Sequence, residues 1–316
     1  WLGRYTERTE QQVRLARSIL LLIDADSDAA EAVLQALSEL AVRAGLAPWG
    51  VPTLVRSPHV FERALLRALA DAEGACSIAY NLAALERASQ SLRERLSSEQ
   101  WGLIRGMDES FVAAVKPPGQ EQPPPLPLVL PALDRLALQL AAVTGAQTDR
   151  MTRDHGWRLL TVGRLLERLL GLTGIFQAFL EAGALRSAAG IELLLELFDS
   201  AITFRARYQR HEDLLALTDL LVLDDNNPRA YAGVLRRLRT ELKKLPGEEA
   251  RHAELLAHLP AEGAGLVLEA LRDADEERIA AALLALSQRL QAAALGLAEV
   301  IGSHYFTLAH GADQPV

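Results

Sequence analysis

The chain has 316 residues, enough for one large domain or two of ordinary size. Half of the residues are hydrophobic and 23% are charged, which excludes global disorder, and a formal net charge of −8 argues against a nucleic-acid-binding surface. Aromatic residues make up only 5%, and the abundance of Leu, Ala, Glu and Arg favours helices over sheets.

The single cysteine and the absence of targeting patterns bear on the compartment. Cys76 excludes an intramolecular disulfide and fits a reducing environment, and its apolar surroundings predict a buried, unreactive thiol. No run of about 18 apolar residues is free of charge and the start shows no signal-peptide pattern, so we predict a cytoplasmic protein without a membrane partner. Because the chain opens on Trp1 within a helical pattern, we expect further sequence upstream of it.

The first part of the chain reads as a series of helices. Apolar residues at spacings of three and four predict a helix from Trp1 to Ile23, and Ser27 or Asp28 is expected to cap the next helix. The helices predicted after the first cover residues 28–43, 57–74, 76–96 and 97–115. Pro-rich residues 116–131 predict an extended linker between two sub-halves, 1–115 and 131–316.

The second part is also helical throughout. Pro131 is expected to open a helix to residue 143, and the polar residues 144–154 to form a turn. The remaining predicted helices cover residues 156–180, 190–208, 210–222, 229–245, 248–259, 265–271 and 276–310. Since no stretch alternates as a strand would, the predicted fold class is all-α, an antiparallel bundle of about ten or more helices.

The predicted helix from Gly156 to Leu180 is apolar nearly all round, yet it carries Arg164, Glu167 and Arg168 at its middle. A helix without a polar face belongs inside a protein, where charges must be paired, face a wet cavity or touch a ligand. At about 100° per residue, Arg164 and Arg168 lie about 40° apart and Glu167 about 60° from Arg164. One sector of the helix therefore presents all three charges.

The pattern G-R-x-x-E-R occurs twice, over Gly3 to Arg8 and over Gly163 to Arg168, and a tryptophan precedes each copy. The spacing of the copies, about half of the chain, predicts two pseudo-repeated helical halves. If these halves pack about a pseudo-twofold axis, Arg4, Glu7 and Arg8 converge with the matching charges of the second copy.

Such a charged centre has two interpretations. Guanidinium groups suit buried bidentate pairing, so the charges can form an Arg-Glu network that holds the halves together. Alternatively, the surplus of four arginines over two glutamates can form a pocket for a carboxylate or phosphate group. Elsewhere the sequence shows few candidate sites. The histidines lack the spacing of metal ligands, and Glu192 and Glu196 lack the Glu-x-x-His partner of a carboxylate metal site. No metal or other cofactor is therefore predicted.

Several blocks together resemble the bacterial alpha-E domain, which is named for its Glu-Arg motif. The blocks are WLGRYTERTE, MTRDHGWRLLTVGRLLER, DDNNPRAYAGVLRRL and SHYFTLAH, and the similarity extends over essentially the whole chain. The resemblance implies an all-helical domain that occurs beside, or fused to, circularly permuted ATP-grasp proteins and transglutaminase-like proteins. It therefore implies a role in a system that forms amide or peptide bonds, with an ATP-grasp ligase as partner.

The family motifs match particular positions of this chain. These are Glu7, Arg8, Arg153, Asp154, Gly156, Trp157, Arg164, Glu167, Arg168, Asn227, Pro228 and Arg229. Departures occur at Ala230, where serine is usual, and over residues 85–90, where only scattered similarity survives. Any contribution of residues 85–90 to a site is therefore in doubt.

The leading functional prediction is a helical accessory or binding module whose Arg/Glu centre holds a carboxylate or phosphate group. Its predicted ligand-binding residues are Arg4, Arg8, Arg153, Asp154, Arg164, Arg168, Asn227 and Arg229. From the residues themselves, Asp154 also reads as a helix cap and Asn227 as a turn residue. Two alternatives remain open: an enzyme that uses Glu7 or Glu167 as acid/base, and a purely structural scaffold.

Overall fold

Helices account for the regular structure of the chain. The computed structural model describes all residues except 26–28, 74–75, 118, 120–121, 210–212, 261–270, 272–273 and 307–316, and the part that it describes contains thirteen α-helices and no strand. The α-helices in chain order are α1 (Leu2–Asp24), α2 (Glu31–Arg43), α3 (Pro58–Leu69), α4 (Ile78–Gln90), α5 (Ser98–Val115), α6 (Leu126–Asp149), α7 (His155–Glu181), α8 (Ala188–Leu197), α9 (Ala201–Tyr208), α10 (Leu214–Thr218), α11 (Tyr231–Leu242), α12 (Glu249–Ala257) and α13 (Glu276–Tyr305). The all-α prediction is confirmed.

Helices α1 and α7 form the central pair, and they run parallel rather than antiparallel. The backbone of Gly3 lies against Leu160, since a Cβ atom on Gly3 would come within 2.1 Å of the Leu160 carbonyl oxygen. About two turns further along α1, Gln11 donates a hydrogen bond to the Glu167 carbonyl oxygen at 3.3 Å. Residue numbers therefore rise in the same direction along both helices.

Two neighbours of this pair, α6 and α11, run antiparallel to it, as predicted for the bundle. On α6, Gln147 contacts Thr6 while Asp134 pairs with Arg17, so α6 runs opposite to α1. Helix α11 runs opposite to α7 in the same way. Helix α4 packs on α1, and α13 packs on α7. Because α1 and α7 are covered on several sides, their polar side chains lie at the centre of the fold.

Local capping chemistry fixes several helix ends, including the predicted cap at Asp154. Ser97 and Gln100 form a reciprocal capping box at the start of α5. Asp154 caps α7 by accepting a hydrogen bond from the Trp157 amide at 2.9 Å. Gly45, with φ +70°, follows α2 in the left-handed conformation that a glycine adopts without strain.

The prediction of an extended linker over residues 116–131 was wrong for the second part of that range. Helix α6 begins at Leu126, so Pro131 lies inside a helix instead of opening one. The helix continues through Asp149, although residues 144–149 were predicted to be a turn. Apolar residues at helical spacing, among them Val129 and Leu133, are fully buried, and this packing outweighs the hydrogen bond lost at the proline.

Other boundaries also differ from the predictions. The stretch 190–208 is two helices, α8 and α9, because the chain turns at Asp199, which has φ +50°. Helix α4 ends at Gln90, short of residue 96, and α13 ends at Tyr305. The predicted caps Ser27 and Asp28, and the predicted helix 265–271 apart from Leu271, lie outside the described residues.

Two helices, α6 and α13, are long and apolar enough to cross a membrane by length and composition alone. Both nevertheless pack on the central pair, α6 on α1 and α13 on α7. The absence of a membrane partner and the cytoplasmic location stay predictions, as does the division into sub-halves.

Candidate functional site

Glu7 of α1 lies at the centre of the charged cluster and is fully buried. Arg168 of α7 donates to both of its carboxylate oxygens at 2.7 Å, from Nε and from one Nη. Arg164, one turn earlier, donates a longer hydrogen bond of 3.2 Å to the same carboxylate. The first glutamate of the repeated motif is thus paired with both arginines of the second copy.

The reverse pairing exists a few ångströms away. Glu167 of α7 accepts a hydrogen bond from Arg4 Nε at 2.9 Å and from Arg8 Nε at 2.6 Å. Arg4 also lies over the Trp1 ring, 5.0 Å from its centroid, and Arg8 lies over the Tyr5 ring at 5.8 Å. The predicted convergence of the two motifs is therefore what the structure contains, with each copy neutralising part of the other.

The cluster extends along α1 toward the chain that precedes α11. Glu10 accepts from Arg229 at 2.7 Å and from Arg14 at 3.4 Å. Asp199 stands 3.5 Å from Arg229 and 3.6 Å from Arg14. We call this extended group the Arg/Glu cluster. It has a surplus of two positive charges, because it contains six arginines and four carboxylates. Its members are Arg4, Arg8, Arg14, Arg164, Arg168, Arg229, Glu7, Glu10, Glu167 and Asp199.

The surplus is visible as unused hydrogen-bond donors. Within the described residues, Arg4 and Arg8 bond only through Nε, so their Nη groups have no hydrogen-bond acceptor. The Nε atom of Arg164 is buried and likewise unpartnered. The buried Nε of Arg164 is costly without an acceptor, whereas water can solvate the Nη groups of Arg4 and Arg8, and an anion would satisfy all of these donors.

The environment of Glu7 keeps it ionised. Burial by itself would raise the pKa of this carboxyl group, but the guanidinium groups of Arg168 and Arg164 outweigh burial and lower the pKa to about 2. Glu7 is therefore a poor general acid or base, because it stays charged at neutral pH, makes a bidentate ion pair and has no access to solvent. Its geometry favours a structural role.

Acid titration tests this pairing. Because the pKa of Glu7 is lower in the folded chain than its usual 4.5, its contribution to stability is complete above about pH 4.5 and is lost as the pH falls toward 2. We expect the free energy of unfolding to fall in this window by up to about 1.4 kcal/mol per pH unit from this group. Denaturant titrations at successive pH values measure the slope, and Glu7→Gln should lack this component.

A cavity of about 390 Å³ borders the Glu167 side of the cluster. Its polar lining comes from Arg8, Gln11, Gln12, Arg43, Cys76 and Glu167, and its apolar walls include Leu15, Leu40, Leu170 and Ile175. Arg8, whose side chain is 24% exposed, thus faces a space large enough for a small molecule or a short segment of a partner.

Cys76 corrects the sequence prediction, because it is exposed rather than buried. It lies in the turn before α4 with φ +58°, and its carbonyl oxygen accepts hydrogen bonds from Gln12 and Asn81. The apolar run around it does not continue as a helix face, so the packing that would bury the thiol is not formed.

The remaining predicted ligand-binding residues lie outside the Glu7–Glu167 centre, and only Arg229 reaches the wider cluster, through Glu10. Arg153 is exposed and lies over the Trp157 ring at 5.4 Å. Asp154 caps α7 and pairs with Arg95. Asn227 bonds the Leu220 carbonyl oxygen at 3.1 Å and accepts from the Arg229 amide at 3.0 Å, which is turn chemistry.

Sequence reasoning missed three members of the cluster, Glu10, Arg14 and Asp199. Glu10 lies one turn after Glu7 and Arg14 one turn after Glu10, so helical spacing could have suggested the first two. Asp199 had no such signal, since it was placed inside a continuous helix. In the part of the chain that the structure describes, no group of three or more His, Cys, Asp or Glu side chains is arranged to hold a metal ion.

Comparison with known proteins identifies the family. A family model described as a predicted alpha-helical domain with a conserved ER motif matches residues 1–306. The chain belongs to the Alpha-E family. Glu7-Arg8 and Glu167-Arg168 are Glu-Arg pairs of this Alpha-E chain, and both lie in the reciprocal ion pairs described above.

Relatives of this Alpha-E chain include the uncharacterized protein Rv2567 of Mycobacterium tuberculosis and the uncharacterized protein Mb2597 of Mycobacterium bovis. Each is 28% identical over 266 residues, which is 78% of this chain and 29% of the relative. The chain therefore spans less than a third of the curated relatives that it matches. No solved structure matches it.

Proposed function

We propose that this Alpha-E domain is a binding module that receives a carboxylate or phosphate group at the Arg/Glu cluster, through the cavity that Arg8 borders. The observation that carries the proposal is the surplus of two guanidinium charges, with free Nη donors on Arg8 at the cavity wall. Charge-assisted hydrogen bonds to an anion would satisfy these donors. The apolar walls of the cavity suit the uncharged remainder of the ligand.

We further propose that the domain acts as an accessory module to an ATP-grasp ligase, together with a transglutaminase-like protein, in forming amide or peptide bonds. The motif resemblance supports this partnership, and the relatives have more than three times the length of the matched segment, which leaves room for further domains. Substrates of amide-forming ligases carry carboxylates, which is the group the cluster suits.

A catalytic role for the domain rests on Glu167 rather than on Glu7. Glu167 lines the cavity, whereas Glu7 has no exposed surface. Glu167→Gln should abolish turnover of an amide substrate, with the fold retained, if this residue transfers a proton. Unchanged turnover would exclude it.

Anion binding is tested with acetate, glutarate and inorganic phosphate by isothermal titration calorimetry. Arg8→Ala is expected to weaken binding roughly 10- to 100-fold, since a hydrogen bond to a charged group contributes about 1.5–3 kcal/mol. Arg17→Ala, an arginine of the same helix that pairs with Asp134 on the surface, is the matched control and should bind normally.

The structural alternative makes a different prediction for the same variant. If the cluster only holds α1 against α7, Arg8→Ala lowers the melting temperature and none of the three anions binds to the unaltered protein. The proposal would be overturned if none of the three anions bound to the unaltered protein. It would also be overturned if the anions bound and Arg8→Ala left their affinity unchanged.

A further inference from the structure

A second, smaller cavity lies between α6, α7 and α11 and shares no lining residue with the cavity at Arg8. Its volume is about 130 Å³, and its polar lining includes Thr144, Gln147, Thr161, Arg164, Arg168 and Arg237. Since a water molecule occupies about 30 Å³ of liquid, the cavity has room for roughly four waters. It suits the end of a molecule rather than a large ligand.

Gln147 places an unsatisfied acceptor in this cavity. The residue is 1% exposed, and its Oε1 atom is buried without a hydrogen-bond partner. The orientation of the amide is fixed by Thr6, whose hydroxyl donates its only proton to the Leu2 carbonyl oxygen and so must accept from Gln147 Nε2. Oε1 is therefore the atom left free, and it calls for a donor from a ligand.

Unsatisfied donors lie in the same lining. The buried Nε of Arg164 has no acceptor. Arg237 of α11 also lines the cavity; it is exposed to solvent and has no ion pair among the described residues, so its charge is available to a ligand. Partial burial and the neighbouring Arg168 cation lower the pKa of Arg237 by more than the Glu241 carboxylate raises it, so the local potential is positive.

The two kinds of unsatisfied atom together specify a ligand class. A simple carboxylate would satisfy the arginines but has no hydrogen-bond donor to offer Gln147, and a phosphate can offer only the O–H of its protonated forms. An ammonium group would satisfy Gln147 but is repelled by the surrounding guanidinium groups. A carboxylate with a neutral amide N–H on the adjacent carbon satisfies both.

We propose that this cavity binds the end of an N-acylated α-amino acid, with its carboxylate on Arg164 and Arg237 and its amide N–H donated to Gln147 Oε1. Both a peptide C-terminus and a free acyl amino acid carry this group. Different residues line the two cavities, so this site opens onto the Arg/Glu cluster, to which Arg164 belongs, from the other side, and it does not depend on binding at Arg8.

N-acetylglycine is the smallest probe of this chemistry. We expect calorimetry to show binding that weakens at least about 10-fold for its methyl ester, which lacks the charge. Acetate and inorganic phosphate, which lack the amide N–H, should also bind more weakly. Acetyl-triglycine separates the sources: binding as tight as that of N-acetylglycine, or tighter, indicates a peptide C-terminus, and weaker binding indicates a free acyl amino acid.

Variants locate the site. Arg237→Ala should weaken N-acetylglycine binding about 10-fold with an unchanged melting temperature, because this side chain has no partner to lose. Arg239→Ala, about 200° round the same helix, is the matched control. Gln147→Met should remove the preference for N-acetylglycine over acetate.

Three results would overturn the proposal. The first is no N-acetylglycine binding, and the second is equal binding of acetate, phosphate or the ester. The third is binding that Arg8→Ala weakens and Arg237→Ala does not, which would assign the ligand to the larger cavity.

Discussion

Glu7→Gln is expected to lower the free energy of unfolding by about 3–5 kcal/mol, the usual cost of removing one partner from a buried ion pair. The substitution leaves Arg164 and Arg168 facing a neutral amide in a region where Glu7 is fully buried and Arg168 nearly so. Thermal denaturation should then show a fall in melting temperature of roughly 5–8 °C for a chain of 316 residues.

Glu167→Gln is the matched control for Glu7→Gln, because it makes the same chemical change in the second copy of the motif. The arginines that it leaves unpaired, Arg4 and Arg8, are 20% and 24% exposed, so water can solvate them. We expect a clearly smaller loss of stability. An equal or larger loss than for Glu7→Gln would contradict the view that burial of Glu7 and its two arginines sets the cost.

Gly3→Ala is expected to destabilise the central pair by about 1–3 kcal/mol. A Cβ atom at this position would lie 2.1 Å from the Leu160 carbonyl oxygen and 2.9 Å from Arg164 Cγ. The first of these is a backbone atom of α7 and cannot rotate away, so the two helices must separate. Chemical denaturation measures the loss, and the same displacement should weaken the Arg164–Glu7 contact.

Gly174→Ala on α7 controls for the general effect of replacing a helical glycine. Nothing lies within 4 Å of a Cβ atom placed there. Alanine should therefore stabilise the helix by about 0.5–1 kcal/mol. If Gly3→Ala were also stabilising, the close approach of α1 and α7 at Leu160 would be wrong.

The location of the polar centre could be predicted from the sequence because it depends on local rules. Helical spacing places Arg164 and Arg168 on one face of an apolar helix, and buried charges need partners. The repeated motif supplied Glu7 as the partner of both arginines, and Arg8 as a partner of Glu167. The pseudo-repeat behind this reasoning stays a prediction, whereas the reciprocal ion pairs are present in the structure.

The sequence by itself determined the helical class, the cap at Asp154 and the burial of the α7 helix, since these follow from spacing and capping within one segment. Only the tertiary structure decided which charges remain unpaired. That outcome depends on residues far apart in the chain, such as Glu10 with Arg229 or Gln147 with Thr6. The parallel direction of α1 and α7 and the two cavities beside them have the same origin, because packing between distant helices sets the distances from which a site is made.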